Sequence, residues 1–287
     1  MWATLENNKA EGATIDGMIK SPDATHLRTF GFLVLRQFFD PANLSAEMDR
    51  VLKDAFSSST AVSRYDGIHF EYVPMMTADT PESLSLLDRT TVVAEQLLGS
   101  PVLPTRAKAI RYFGSTPWHV DSVQPMVSIG FMTYLERLDA ENGALRVLPG
   151  SHLPKRGNLL RAMGATGKPA TELQSEILPT EPGDMIVFDE HLFHASHGGV
   201  ARRQWRIDYV RDPEDAAARN TTRAYFSNIY APNWGGGYDV DRYPSYGPDW
   251  RTSGRAAVER LETLGVYELA AKHETFARLI YQASQRP

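Results

Sequence analysis

Two segments of the chain carry residues that could bind a divalent metal ion. In Trp118-His119-Val120-Asp121, alternate side chains of an extended backbone point the same way, so His119 and Asp121 could chelate one ion. In GDMIVFDEHLFHASHGG, residues 183–199, three histidines lie close together, among them His194. Two imidazoles and one carboxylate leave open coordination positions, as in non-heme Fe(II) oxygenases.

A basic cluster follows the second segment. Arg202, Arg203 and Arg206 lie on one predicted strand, where a guanidinium group could bind a carboxylate through two parallel hydrogen bonds. A His-x-Asp pair alone is weak evidence, because chance and structural pairs are common. The basic strand and the strand-rich surroundings together favour a metal site beside an anion-binding side chain.

The hydrophobic pattern changes twice along the chain. Residues 30–39 predict a short strand, Asp40-Pro41 begins a helix, and a second helix is predicted from about 80 to 98 and closed by Gly99. Residues from about 254 to 283 return to helical spacing. Between these ends lie seven short segments rich in β-branched and aromatic residues, namely KAIRYFG, MVSIGFMTYL, ALRVLPG, SEILPT, DMIVFD, RRQWRIDYV and YFSNIY.

This pattern predicts a mainly β protein with flanking helices, built as a sandwich or jelly-roll barrel. We expect one domain with an N-terminal tail at 1–22, strand and helical support at 23–100, and a jelly-roll core at 101–230. Residues 231–287 would form a loop and a C-terminal helix. The segment 230–250, rich in Gly, Tyr, Trp and Pro, could be a lid, a packed surface loop or an oligomer contact.

Composition excludes several classes of protein. The 287 residues are 42% hydrophobic and 23% charged, which is ordinary for a globular chain, and the net charge of −5 argues against nucleic acid as a partner. Cysteine is absent, which excludes disulfides and thiolate-bound metals. The sequence has neither a membrane-length apolar run nor a signal peptide, so we expect a cytoplasmic protein without a membrane partner. No sequence feature indicates an oligomeric state.

Three motifs together resemble the phytanoyl-CoA dioxygenase family of Fe(II)/2-oxoglutarate-dependent oxygenases. They are WHVDS, ENGALRVLPGSH at 141–152 and PGDMIVFDEHLFHAS at 182–196. FGFLVLRQFFDPANLSAEMDRVL is similar to the opening of that family, so the resemblance covers about residues 25–212. It implies a double-stranded β-helix of the jelly-roll, cupin-like type. It also implies that His119, Asp121 and His194 bind iron, because the family's distal histidine comes eleven positions after the glycine of the GD turn, here Gly183.

The resemblance implies 2-oxoglutarate and O₂ as co-substrates. The family often has Arg-x-Ser on the strand after the distal histidine, but aligning this chain on Ile207-Asp208 puts Gln204 at the arginine position. We therefore expect Arg206 to bind the distal carboxylate, with Arg203 as the next choice and Arg202 after it. The hydroxyl of Ser196, two residues after the distal histidine, is expected to help bind the same carboxylate.

The expected reaction is hydroxylation of an unactivated C–H bond of a small molecule, with release of succinate and CO₂. Candidate substrate contacts are Tyr112, Trp118, Phe131 and Arg111, and Arg111 and Lys108 could bind an anionic substrate. Two alternatives remain open. A site with two histidines and one aspartate can also hold Zn²⁺ for hydrolysis, and a jelly roll can be a non-catalytic binding protein.

Overall fold

The computed structural model describes residues 19–56, 63–65, 68–231 and 237–285. Most of the predicted tail at 1–22 lies outside these residues, and its described end begins a helix at Ser21. The centre of the molecule is a pair of antiparallel sheets that face each other. Met132 and Phe188 of the large sheet pack in one buried cluster with Leu145 and Val147 of the small sheet.

The large sheet joins strands from most of the chain. Its order is β1 (Phe32–Leu35), β10 (Met185–Asp189), β7 (Ser128–Tyr134), β12 (Arg202–Arg211), β5 (Lys108–Phe113), β3 (Ile68–Pro74) and β2 (Ser63–Tyr65), and β4 (Val102–Pro104) also pairs with β12. The small sheet has the order β6 (Thr116–His119), β11 (His194–Gly198), β8 (Asn142–Val147) and β9 (Glu176–Leu178). This architecture confirms the predicted fold class of antiparallel sheets with flanking helices.

Helices surround the sheets. They are α1 (Ser21–Phe30), α2 (Pro41–Phe56), α3 (Pro81–Leu98), α4 (Pro154–Ala162), α5 (Ala216–Ile229), α6 (Pro248–Arg251), α7 (Ala256–Thr263) and α8 (Val266–Ser284). Helix α3 covers the outer face of the large sheet: Trp205 Nε1 donates a hydrogen bond to Ser83 Oγ at 2.8 Å, and Tyr209 Oη donates one to the carbonyl of Leu87 at 3.0 Å. The inner face is left for the small sheet and the candidate site.

Strand β12 shows how the sheet sorts its side chains. Residues 203, 205, 207 and 209 share the outer face with the helices, whereas residues 202, 204, 206 and 208 share the inner face, because side chains alternate along a strand. In the antiparallel register, Arg202 lies opposite Tyr112 and Arg206 lies opposite Lys108. Two arginines four residues apart on β12 therefore reach the interior from the same side.

One predicted strand is wrong. YFSNIY, residues 225–230, is the end of α5 and the residue after it. Asp215 accepts a hydrogen bond from the backbone N–H of Ala218 at 2.8 Å and caps this helix, and Thr222, Tyr225 and Phe226 are buried at helical spacing. The C-terminal helical region also differs from the prediction, because α7 and α8 are two helices separated at Gly265, which has a φ of 70°.

Candidate active site

The two histidines come from neighbouring strands of the small sheet. His119 ends β6, His194 begins β11, and the two are directly opposite each other in the antiparallel register. Their ring centroids are 4.2 Å apart. A single cross-strand pair therefore brings together imidazoles from distant parts of the chain.

Backbone carbonyls fix which nitrogen of each ring faces the site. Nδ1 of His119 is 2.8 Å from the carbonyl oxygen of Pro117, and Nδ1 of His194 is 2.9 Å from that of Leu192. Because a carbonyl oxygen only accepts, the proton lies on Nδ1 and the lone pair of each Nε2 is free. The two Nε2 atoms lie 3.5 and 3.4 Å from the carboxylate oxygens of Asp121.

The charge states of His194 and Asp121 suit binding of a cation. Burial lowers the pKa of His194 to about 4, so its ring is neutral near pH 7. Burial by itself raises the pKa of Asp121, but the nearby Arg206 guanidinium holds it well below its ordinary value. Neutral imidazole and ionised carboxylate are the forms that bind metals.

A divalent metal ion fits these three residues. Their ligand atoms all lie within 4.8 Å of one another. Asp121 Oδ2 is buried and accepts no aligned hydrogen bond from the described residues, although Arg206 Nη2 forms an ion pair with it at 2.8 Å. Two nitrogens and one oxygen on one side of an ion are the donor set of a facial triad.

Arg206 lies between Asp121 and two further buried carboxylates. Its Nη2 is 3.4 Å from Glu190 Oε1, and its Nε donates to Asp208 Oδ1 at 2.7 Å. Lys108 Nζ donates to the other oxygen of Asp208 at 3.1 Å. Two of the three guanidinium nitrogens of Arg206 therefore face protein carboxylates, which hold the group beside Asp121.

Glu190 was missed by the sequence interpretation. Burial and the neighbouring Asp208 raise the pKa of its carboxyl to about 8. Tyr225 Oη donates to its Oε2 at 2.7 Å, and its backbone carbonyl accepts from the N–H of Asp121 at 2.9 Å. The available signal was the position of Glu190 directly after the apolar strand β10. An acidic residue next to a core strand is rarely buried unless it has a partner, so its position suggested a buried polar network.

Two cavities among the described residues, a larger and a smaller one, open beside the metal cluster, our name for His119, Asp121 and His194. The volume of the larger cavity is about 160 Å³, and His119, Asp121, Glu190 and Arg206 lie on its wall. Residues 106, 108, 110 and 112, which alternate along β5 and the residues before it, form another part of the wall. Apolar side chains from β3 and α5 complete it, so the cavity combines charged and apolar surfaces.

The smaller cavity, of about 30 Å³, lies beside both histidines and contains a second buried arginine. Arg202 is 2% exposed, and its Nη2 donates to Ser196 Oγ at 3.0 Å. Its Nη1 and Nη2 also donate to the carbonyls of Gly143 and Gly114 at 2.7 and 2.8 Å. No carboxylate within 4.0 Å neutralises Arg202 among the described residues, so its positive charge is available to an anion. Gly143, with a φ of 108°, gives Arg202 room, since a Cβ there would overlap the arginine side chain.

The three predicted arginines therefore lie in three environments. Arg203, on the outer face of β12, donates from Nε to Glu136 at 2.7 Å and from Nη1 to Asp49 at 2.6 Å, so its expected role at the site does not fit the structure. Arg206 lines both cavities, within its carboxylate network. Arg202, the last of the three choices, is the one beside Ser196.

The predicted substrate contacts divide in the same way. Tyr112 lines both cavities. The other three lie elsewhere among the described residues: Trp118 packs with Leu148 and Phe193, Phe131 packs against Tyr209, and Arg111 pairs with Glu71. Arg111 faces away because it has the opposite strand parity to Tyr112.

Residues 230–250 are partly outside the structure, which describes 230–231 and 237–250 here. Within these, Tyr238, Tyr243 and Trp250 are fully buried, and Tyr230 Oη donates to Tyr246 Oη at 2.8 Å. The described part of the segment therefore packs against the core.

The sequence matches a known protein family over more than half of its length. Residues 27–204 match the family described as phytanoyl-CoA dioxygenase, a stretch that contains both histidines, Asp121 and Arg202. The chain belongs to the phytanoyl-CoA dioxygenase family. Membership confirms the predicted family and its dioxygenase class.

Several solved structures share the fold of this chain. AviO1 from Streptomyces viridochromogenes Tue57 is 22% identical over 72% of this chain and 98% of its own, with a TM-score of 0.53. EctD from S. alaskensis, solved with bound Fe, is 22% identical over 70% of this chain and 80% of its own, with a TM-score of 0.52. EctD has also been solved with 2-oxoglutarate and 5-hydroxyectoine. EvdMO1 is 21% identical with a TM-score of 0.51; the match covers 66% of this chain and spans 49% of the EvdMO1 chain.

Each helix of the described residues is too short or too polar to cross a membrane.

Proposed function

We propose that this chain is an Fe(II)- and 2-oxoglutarate-dependent oxygenase that hydroxylates a C–H bond of a small organic molecule. The cross-strand pair of His119 and His194 beside Asp121 carries this proposal, because it presents three ligands on one side of a metal position. Family membership supports the proposal, as do the EctD structures that hold Fe or 2-oxoglutarate.

The chain's own residues would divide the work between holding the metal and orienting its ligands. Nε2 of each histidine and one oxygen of Asp121 would bind iron, and the carbonyls of Pro117 and Leu192 would keep the rings in that orientation. When bound, iron supplies the coupling of O₂ reduction and 2-oxoglutarate decarboxylation to oxidation of a C–H bond. The protein supplies position and exclusion of competing chemistry.

Arg202 and Ser196 would bind the distal carboxylate of 2-oxoglutarate. They lie together in the smaller cavity beside both histidines, and Arg202 has no carboxylate partner among the described residues. Arg206, our first expectation from the sequence, already faces Asp121, Glu190 and Asp208. A buried guanidinium beside a hydroxyl fits a carboxylate through charge-assisted hydrogen bonds.

The larger cavity would hold the substrate. It has an apolar wall that excludes water, formed by Ile68, Phe70, Ile110 and Ile229. His119 and Asp121 lie on the wall of the same cavity. A C–H bond bound there would be held next to the iron position, which is the main contribution that a protein makes to this chemistry.

An anaerobic titration tests the proposal. Metal-free protein receives Fe(II) and then 2-oxoglutarate, and the visible charge-transfer band of the chelated keto acid is recorded for wild type, His194→Ala and His191→Ala. His191 is a matched control, because its ring nitrogens contact Asp189 and the carbonyl of Gln124 instead of the cluster. We expect the band in wild type and His191→Ala and its loss in His194→Ala.

The other outcomes would contradict the proposal in distinct ways. Iron binding without a band would mean that 2-oxoglutarate is not the co-substrate, and would favour a hydrolase with two histidines and one aspartate as metal ligands. No metal binding by folded wild type would leave a non-catalytic jelly-roll binding protein.

A further inference from the structure

A third buried arginine lines the larger cavity and has no role in the function proposed above. Arg106 lies just before β5 and is 4% exposed. Its Nε and Nη1 have no hydrogen-bond partner, and it has no carboxylate within 4.0 Å in the part of the chain that the structure describes. A buried cation without a counter-charge is costly, so its retention at a cavity wall points to an anionic ligand.

Aromatic side chains hold the Arg106 guanidinium without neutralising it. Its central carbon lies 4.5 Å from the ring centroid of Tyr230 and 5.2 Å from that of Tyr72. These cation–π contacts stabilise the charge and fix the plane of the guanidinium. Tyr72 Oη accepts a hydrogen bond from Arg106 Nη2 at 3.1 Å.

A directed chain of hydrogen bonds keeps Tyr72 in the accepting orientation. Tyr72 Oη is 2.6 Å from Nε2 of His273, a buried residue of α8, and Nδ1 of His273 is 3.2 Å from the carbonyl oxygen of Ala231. Burial lowers the pKa of His273 to about 3, so its ring is neutral. Because the carbonyl requires a donor, the proton is on Nδ1, and Tyr72 donates to Nε2. The tyrosine oxygen then accepts from Arg106, whose Nε and Nη1 stay free.

The position of Arg106 relative to the metal cluster follows from strand register. Lys108, two residues along the same wall, lies opposite Arg206 on β12, and Arg206 pairs with Asp121. Two residues of strand span about 7 Å. Lys108 is already paired with Asp208, so Arg106 is the unneutralised cation of this wall among the described residues.

We propose that Arg106 binds a carboxylate of the substrate, so that the substrate is a small organic monoacid with an apolar body. One unneutralised guanidinium matches one negative charge, which favours a carboxylate over a doubly charged phosphoryl group. Ile68, Phe70 and Ile110 on the same cavity would contact the apolar body and leave its other end near the metal cluster. The reaction at that end rests on the proposed function, whereas binding of the acid does not require metal.

The test is a calorimetric titration of metal-free full-length protein with matched acid and amide probes. The pairs are benzoate and benzamide, 3-phenylpropionate and 3-phenylpropionamide, and cyclohexanecarboxylate and its amide. We expect at least one acid to bind about 10-fold or more tightly than its amide, as charge-assisted hydrogen bonds allow. This preference should be lost in Arg106→Gln and kept in Arg137→Gln, whose side chain is exposed and pairs with Glu181 on the surface.

Three results would overturn the proposal. No acid binds more tightly than its amide to wild type, or the preference is unchanged in Arg106→Gln, or phenyl phosphate binds through Arg106 more tightly than every carboxylate. If Arg106→Gln does not fold, Tyr72→Phe replaces it, and the acid preference should fall about 2- to 10-fold because the hydrogen bond that orients Arg106 is lost. If wild type shows the charge-transfer band but no acid preference, this inference alone is refuted. If wild type shows an acid preference that depends on Arg106 but no charge-transfer band, only the proposed oxygenase is refuted.

Discussion

Arg202 and Arg203 are neighbours on β12 whose side chains lie on opposite faces of the large sheet, and replacing each by glutamine separates two roles. Arg202→Gln removes the buried cation beside Ser196, whereas Arg203→Gln removes a cation that pairs with Glu136 and Asp49 on the outer face. We expect only the first change to weaken binding of 2-oxoglutarate. The two variants are matched controls, because they change the same type of residue at adjacent positions to the same new residue.

The size of the effect follows from the hydrogen bonds involved. A hydrogen bond to a charged group contributes about 1.5–3 kcal/mol, and about 1.4 kcal/mol corresponds to a factor of ten in affinity. The Kd of 2-oxoglutarate should therefore rise about 10- to 150-fold in Arg202→Gln and less than about 3-fold in Arg203→Gln. Ser196→Ala, which removes one neutral hydroxyl, should raise it about 2- to 10-fold.

The assay is the anaerobic charge-transfer titration with 2-oxoglutarate at fixed Fe(II). Arg202 also donates to the carbonyls of Gly143 and Gly114, so circular dichroism and the melting temperature of each variant are measured first. Wild-type affinity in a folded Arg202→Gln variant would refute the assignment. If Arg206→Gln alone weakened 2-oxoglutarate binding and kept its iron, the original expectation from the sequence would be restored.

Three further predictions concern stability and packing. The free energy of unfolding should fall as pH drops from about 6.5 towards 3, because His273 binds a proton in the unfolded chain but not in the folded protein. The contribution of His273 is up to about 1.4 kcal/mol per pH unit. When the free energy from urea unfolding is plotted against pH, His273→Gln should show a shallower slope than wild type. Gly143→Ala should lower the melting temperature and weaken 2-oxoglutarate binding about 10-fold or more, since its Cβ would displace Arg202; unchanged binding would contradict this. Glu47→Ala should cost about 0.5–2 kcal/mol in urea unfolding, because its carboxylate accepts from two backbone N–H groups in the first turn of α3, at 3.0 and 2.9 Å.

Local patterns predicted much of the fold and the candidate ligands. Six of the seven segments assigned as strands are strands, since alternation and turn residues define them locally. The seventh failed because Tyr and Phe favour strands only on average, and here Asp215 caps a helix that buries them.

The choice among the arginines required information that the sequence does not contain. Arg206 looked available because its partners, Asp121, Glu190 and Asp208, come from three separate segments whose proximity depends on the sheet register. Arg202 reaches Ser196 because the short turn after β11 leads from the small sheet to the large sheet that faces it, and the Arg202 side chain lies on the inner face of β12. Charge pairing between distant segments is a property of the folded molecule.

The cavity wall around Arg106 is built from two regions of the chain. Its strands lie within residues 27–204, the stretch that matches the family, whereas Tyr230 and His273, which hold and orient the guanidinium, belong to the C-terminal region beyond it. The metal ligands and Arg202 thus lie in one part of the gene, and much of the support for the acid-binding end lies in another. Exchange of the C-terminal region between homologous chains is consequently a direct route to altered substrate selectivity, by natural recombination or by construction of chimaeras.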